Sequence, residues 1–296
     1  MQVVFAKIEE REKMSKFVIV IESGADLPVE FIEKYDIHVV PMHVSFAEET
    51  LDDMTFPVQK LFDFYEKTGI LPKTSGCNPG EFEQMFDEIH AKYPDKHILH
   101  LAYSAITTCS YQSAIIAAEG RDYVTSIDTK QVTAGQSMVV LNIAEYLEAN
   151  PDSTVAEVTA ETNRLIDSIK TGFIPGSLTF LKAGGRVSNA QYLGAKMLNL
   201  KPLIEMINGE LVSTKKYRGN IAKVAKNLFQ EFVEKYQLKK DRVAFIWSTG
   251  LDELVKKQIT QLATGEGFKE ILWIETGCVI TTHGGAGCFG IAGFGE

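Results

Sequence analysis

Short, continuously apolar runs alternate with segments of helical period along the first half of the chain. Residues 16–21 (KFVIVI) form one such run, bounded by Glu22-Ser23-Gly24, as expected for a strand buried on both faces. Asp26 ahead of Leu27-Pro28 marks a helix start. Residues 38–46 give a second strand, and Pro41 inside it implies an edge position or a bulge. Residues 57–67 place Leu61, Phe62 and Tyr65 on one side of a helix. Asn78-Pro79-Gly80-Glu81 opens another, with Phe82, Met85, Phe86 and Ile89 at spacings of three and four. A strand at 97–103, a helix at about 111–119, a strand at 123–127 and a long helix at 133–149 continue the series. Strand and helix in turn predict an α/β domain, a parallel sheet with helices on both faces.

Asn150-Pro151-Asp152-Ser153-Thr154 is a turn and cap, followed by a helix to about residue 169. The elements then shorten. Asn208-Gly209 reads as a hairpin turn between 203–207 and 210–213. Residues 221–236 and 251–262 are helical, and 243–247 and 270–274 are strands. This predicts a second, smaller α/β domain with a mixed sheet. The expected division is an N-terminal extension at 1–13, a first domain at 14–176, a second at 177–283, and a glycine-rich tail at 284–296 that could return to the first domain.

At 296 residues the chain exceeds the size at which a single core keeps growing, which also favours two domains. Its 39 acidic and 30 basic side chains give a formal charge of -9, which opposes diffuse attraction to nucleic acid or to anionic headgroups. No apolar stretch is long enough to span a bilayer and the N-terminus has no secretory pattern, so a cytoplasmic protein without stable membrane insertion is expected. Cys77, Cys109, Cys278 and Cys288 are scattered without a C-x-x-C pair, which supports free thiols and no metal site.

Gly285-Ala286-Gly287-Cys288-Phe289-Gly290 satisfies G-x-G-x-x-G, but six residues are too few for the crossover helix of a dinucleotide site. No phosphate-cradling G-x-x-x-x-G-K-[ST] is present, and no cofactor is expected. His97 and His100 lie three apart on a strand and so face opposite ways. His283 differs. Thr281-Thr282-His283-Gly284-Gly285 places it at the end of an apolar run taken as a strand, beside glycines that open space, so it is either a ligand-binding or a structural histidine. Thr74-Ser75 lies in a loop before a helix, where plain capping is the simplest role. Ser104, Thr107, Thr108 and Ser110 follow a strand's carboxyl end, where parallel sheets receive ligands and hydroxyls suit a carboxylate. Lys215, Lys216, Arg218, Lys223 and Lys226 form a basic cluster, either a solvated face or a docking surface.

Glu22-Ser23-Gly24-Ala25-Asp26-Leu27-Pro28, Lys73-Thr74-Ser75, Tyr111-Gln112-Ser113-Ala114, Ile127-Asp128-Thr129-Lys130, the run from Leu181 to Ser188, Lys201-Pro202-Leu203-Ile204-Glu205 and Val279-Ile280-Thr281-Thr282-His283 occur in one order. Together they resemble the DegV family of bacterial fatty-acid-binding proteins, whose members include the FakB carriers serving a fatty acid kinase. The resemblance covers nearly the whole chain from Met14. It implies two α/β domains with a long-chain fatty acid between them, its carboxylate near the hydroxyls of the first and its tail in the second. By that match Thr74 binds the carboxylate with Ser75 adjacent, and His283 lines the same end. Arg186 and Arg218 match arginines of the kinase-facing or phosphate-binding edge.

The family's Ser-Ser-x-Leu-Ser-Gly-Thr-Tyr stands here as Ser104-Ala105-Ile106-Thr107-Thr108-Cys109-Ser110-Tyr111, so the expected second serine is Ala105. Losing one hydroxyl bond to a charged group costs roughly 1.5–3 kcal/mol. The Ala105 amide, Thr108, Ser104 or a water are the expected compensations. The tail also lacks the family's proline. At about 0.8 kcal/mol per methylene, roughly fifteen buried carbons supply on the order of 12 kcal/mol gross, so head contacts need mainly to orient the ligand. The expectation is a non-enzymatic carrier that presents a fatty-acid carboxylate to a partner kinase. The rivals are an acyl-ester hydrolase using Ser104 or Ser110 with His283, and a lipid-responsive regulatory sensor.

Overall fold

The computed structural model describes residues 15–185 and 200–296. The expected N-terminal extension and Arg186 therefore lie outside the described residues. Three sheets organise the chain. In the first, β1 (Phe17–Glu22) pairs in parallel with β2 (His38–Val40) and with β6 (His97–Ala102), and β6 with β7 (Val124–Asp128), giving the order β2-β1-β6-β7. All six residues of β1 are buried, because helices cover both faces as the unbroken apolar run requires. Its odd residues Phe17, Ile19 and Ile21 enter one core, and Val18 and Val20 enter another.

The second core is closed by α3 (Pro79–Lys92) and α4 (Ser110–Ala117). Asn78 caps α3 by accepting from the Glu81 amide while Glu81 accepts from the Asn78 amide, the reciprocal bonds of a capping box. Two helices precede them, α1 (Val29–Lys34) and α2 (Gln59–Thr68).

The expected strand at 38–46 is two strands. It breaks at Pro41-Met42, and β3 (His43–Phe46) leaves the parallel sheet for a small antiparallel one with β4 (Glu49–Asp52) and β5 (Lys73–Ser75). Proline's missing amide explains the break. Thr74 thus sits on a strand, paired with Val44, rather than in a capping loop.

The third sheet is mixed, with the order β10-β9-β8-β13-β11-β12. It comprises β8 (Ile169–Ile174), the hairpin of β9 (Leu200–Ile207) and β10 (Glu210–Arg218), β11 (Arg242–Trp247), β12 (Glu270–Glu275) and β13 (Phe289–Phe294). Only β11 and β12 run parallel. The chain thus contains two α/β domains, one with a parallel and one with a mixed sheet. The glycine-rich tail does not join the first sheet: it supplies β13, which lies between β8 and β11. On the outer face α8 (Ile221–Tyr236) and α9 (Glu253–Gly265) bury Phe229, Phe232, Val255 and Ile259.

Between the two large sheets runs α5 (Thr133–Ala149), which touches β6 on one side and β8, β11 and β13 on the other. It is apolar nearly all round, with Met138, Val139, Val140 and Leu141 all buried, as a helix enclosed on every side must be. The following α6 (Val155–Ser168) buries only one stripe, Val158, Leu165 and Ile166, against the same core. Arg242 on β11 pins α5 through Glu145, at 2.5 and 3.1 Å, while also meeting Glu270 of β12 at 2.6 Å. Among the described residues, two further short helices are α7 (Leu178–Ala183) and α10 (Cys278–Gly284).

Candidate functional site

A cavity lies where the two large sheets approach each other. Its volume is about 70 Å³. From the first sheet's side it is lined by Met42, Thr74, Ser75, Tyr103, Thr107 and Thr108. From the other side Phe173, Leu181, Leu211, Ile246 and Cys288 supply an apolar wall. Burial pushes the Cys288 thiol up to about 12, so this cysteine is a neutral wall residue and no nucleophile.

Helix α10 carries Val279, Ile280 and His283 to the cavity. The apolar run 278–280 is therefore helical, not the strand expected from the sequence. Two carboxylates, half-buried Asp26 and buried Asp53, hold its N-terminal end. Asp26 accepts from the Gly277 amide at 2.8 Å and from Thr133 Oγ1 at 2.5 Å; Asp53 accepts from the Cys278 amide at 3.0 Å and from Ser23 Oγ at 2.8 Å. Burial raises Asp26 well above the ordinary carboxylate range despite these bonds, and raises Asp53 likewise. Carboxylates at helix starts also meet the positive end of the backbone dipole.

At the other end of α10, His283 Nε2 lies 2.7 Å from Thr74 Oγ1, two residues 209 positions apart in sequence. Thr74 is half-buried and Ser75 exposed at the cavity's edge. Thr108 shares this rim: its Oγ1 is 3.2 Å from Ser110 Oγ, which accepts from the Cys77 amide at 3.0 Å. The hydroxyls fit there because position 76 is glycine. A Cβ on Gly76 would stand 2.3 Å from Thr108 Oγ1 and 2.5 Å from Ser110 Oγ.

Ser104 and Ala105 are placed differently. Ser104 is fully buried and its Oγ donates to the Gly209 carbonyl at 2.7 Å, clasping the β9–β10 turn to the first sheet. The Ala105 amide donates to Asp128 Oδ1 at 3.2 Å. Of the groups expected to compensate for the missing serine, the Ala105 amide and Ser104 are thus bonded elsewhere and neither residue lines the cavity, whereas Thr108 does line it. Thr107, Thr133 and Thr276 line it instead. Thr107 lies within the hydroxyl-rich run that the sequence singled out. Thr133 and Thr276 carried no signal beyond being threonines near element ends.

The hydrolase arrangement does not form. Ser104 is engaged by Gly209 and Ser110 by Cys77 and Thr108, while the His283 nitrogen that would serve as base faces Thr74. Arg218 ends β10 on the exposed surface, and nearby Lys215 pairs with Glu231 at 2.7 Å. Among the described residues no cluster of three or more His, Cys, Asp or Glu side chains could hold a metal ion, and no helix is long and apolar enough to cross a membrane.

A sequence model described as "Uncharacterised protein, DegV family" matches residues 16–296. A DegV domain-containing protein of Caldanaerobacter subterraneus is 26% identical over 286 residues, which is 94% of this chain and 98% of that protein. A protein of Thermotoga maritima named as fatty acid-binding is 26% identical, over 93% of this chain and 96% of its own length. Among solved structures, a DegV family protein from Thermus thermophilus described for its fatty acid binding superposes with a TM-score of 0.82 at 28% identity, covering 95% of this chain and 99% of that one. DegV of Bacillus subtilis, described as a fatty acid binding protein, gives 0.81 at 25% identity, with 95% and 99% covered.

Proposed function

We propose, from the premise that this chain belongs to the DegV family, that it binds one long-chain fatty acid, with the carboxylate at Thr74 and His283 and the tail against the apolar wall beyond. The observation that carries this is the meeting of Thr74 Oγ1 and His283 Nε2, 2.7 Å apart, on the rim of a cavity whose far wall is Phe173, Leu181, Leu211 and Ile246. Two adjacent donors suit the two oxygens of one carboxylate, and a buried carboxylate must be hydrogen-bonded. The cavity's volume of about 70 Å³ is below the roughly 300–1,000 Å³ of typical ligand sites, so a long chain must spread its walls to enter.

The relatives named above as fatty acid binding support the ligand class, and the engagement of Ser104 by the Gly209 carbonyl and of Ser110 by Cys77 and Thr108 supports a carrier over a hydrolase. We further propose that the carboxylate is presented to a separate ATP-dependent kinase, with exposed Arg218 on the kinase-facing edge. Native mass spectrometry of the protein as purified from cells tests the first part: a co-purifying mass of a long-chain fatty acid is expected, and protein that neither carries nor takes up such a lipid would refute it. Purified protein with ATP and oleate alone should form no acyl phosphate. Turnover there would overturn the carrier assignment.

A further inference from the structure

Two adjacent glycines close α7, and they are glycine for different reasons. Gly185 has φ +67°, the left-handed region that glycine and asparagine adopt readily, and an added Cβ would meet no described atom within 4 Å. Gly184 has φ -69° and ψ -11°, a conformation open to any residue. Space alone excludes a side chain there. A Cβ on Gly184 would stand 2.0 Å from Nδ1 of His283, 2.9 Å from Cε1 and 3.2 Å from Cγ. The other ring nitrogen is the one 2.7 Å from Thr74 Oγ1. The imidazole is therefore wedged between the bare backbone of α7 and the Thr74 hydroxyl. The two helices that form this wedge are tied, because the Ser177 amide at the start of α7 donates to the Gly284 carbonyl at the end of α10, 3.1 Å away.

We propose that Gly184 is the positioning residue of the Thr74–His283 pair, its missing side chain fixing where the His283 imidazole stands. The inference deepens the fatty-acid reading and rests on it for the binding readout, while the placement of the ring is a property of the unliganded protein. A methyl group at residue 184 needs about 1.4 Å more room to reach the 3.4 Å of ordinary contact. The tie between α7 and α10 prevents the helices from parting, so the ring must give. Displaced along the line of contact it runs into Thr74, and rotated it turns Nε2 away from the hydroxyl. Either movement leaves the hydrogen-bond range.

The test compares Gly184→Ala, Gly185→Asn, His283→Ala and the double variant G184A/H283A. Long-range ¹⁵N–¹H spectra of the unliganded proteins report the imidazole, and displacement of a fluorescent fatty acid by oleate reports binding. G184A should shift the His283 ring resonances and weaken oleate binding roughly tenfold, whereas G185N should change neither. In the H283A background the methyl group occupies vacated space, so G184A should cause no further loss. Unchanged ring resonances in G184A, or an equal loss with and without His283, would overturn the proposal. If G184A is too unstable to assay, the double variant should regain the thermal midpoint of H283A, and failure to regain it overturns the proposal equally. Wild-type protein that binds no oleate would sink the fatty-acid reading while leaving the spectral comparison decisive for Gly184.

Discussion

Replacing Thr74 with valine removes one hydroxyl and little else. Valine has nearly the same shape and suits a strand, so the pairing of Thr74 with Val44 is retained. Without ligand, the variant loses a neutral hydroxyl–imidazole bond, worth about 0.5–1.5 kcal/mol. With a carboxylate bound, it loses a bond to a charged acceptor, worth about 1.5–3 kcal/mol. Affinity follows the difference, about 1–1.5 kcal/mol, or roughly five- to tenfold weaker binding. For the matching long-chain alcohol both losses are neutral bonds and nearly cancel. Titration calorimetry of wild type and Thr74→Val with a fatty acid and its alcohol gives all four affinities. The expected result is a selective loss for the acid, and an equal loss for both ligands would remove Thr74 from the carboxylate site.

Two further outcomes follow from groups outside the rim. Asp26 is held by burial above its unfolded value, so folding takes up a proton there: its stabilising contribution is complete below about pH 3.9 and declines as pH rises through the folded value. Urea midpoints of Asp26→Asn between pH 5 and pH 8 should therefore fall less steeply than wild type, with buried Asp53 keeping part of the slope, and parallel curves would contradict the assignment. Ser104→Ala should destabilise the fold by about 1–3 kcal/mol, because the Gly209 carbonyl loses its partner, yet leave fatty-acid affinity unchanged. A binding defect without a stability defect would return Ser104 to the site.

Elements with strong period or clean caps were legible in the sequence. The α5 and α8 boundaries follow directly from apolar spacing and flanking turns, and the alternation of β1, β6 and β7 with helices implies their parallel sheet. Short elements were not. Lys73-Thr74-Ser75 is too brief to show a period, and its strand character comes only from pairing with β3. Residues 278–280 are apolar on every side because α10 is enclosed, so periodicity could not separate helix from strand. The glycine-rich tail was assigned no strand, but glycines in β13 leave room for the flanking strands' side chains: a Cβ on Gly290 would meet Phe173 Cβ at 2.7 Å. Within the site, Thr74 and His283 were found through the family resemblance. The commitment of Ser104 to the hairpin depends on a contact across 105 positions that no local pattern encodes.

Helix α5 belongs to both large sheets at once, its sides buried against β6 and against β8, β11 and β13. A beam shared by two walls lets neither wall swing free of the other along its length. For the long lipid proposed as ligand, the way in then falls to the flank where the lobes meet through slighter joints, the Ser104–Gly209 bond and the Thr74–His283 contact.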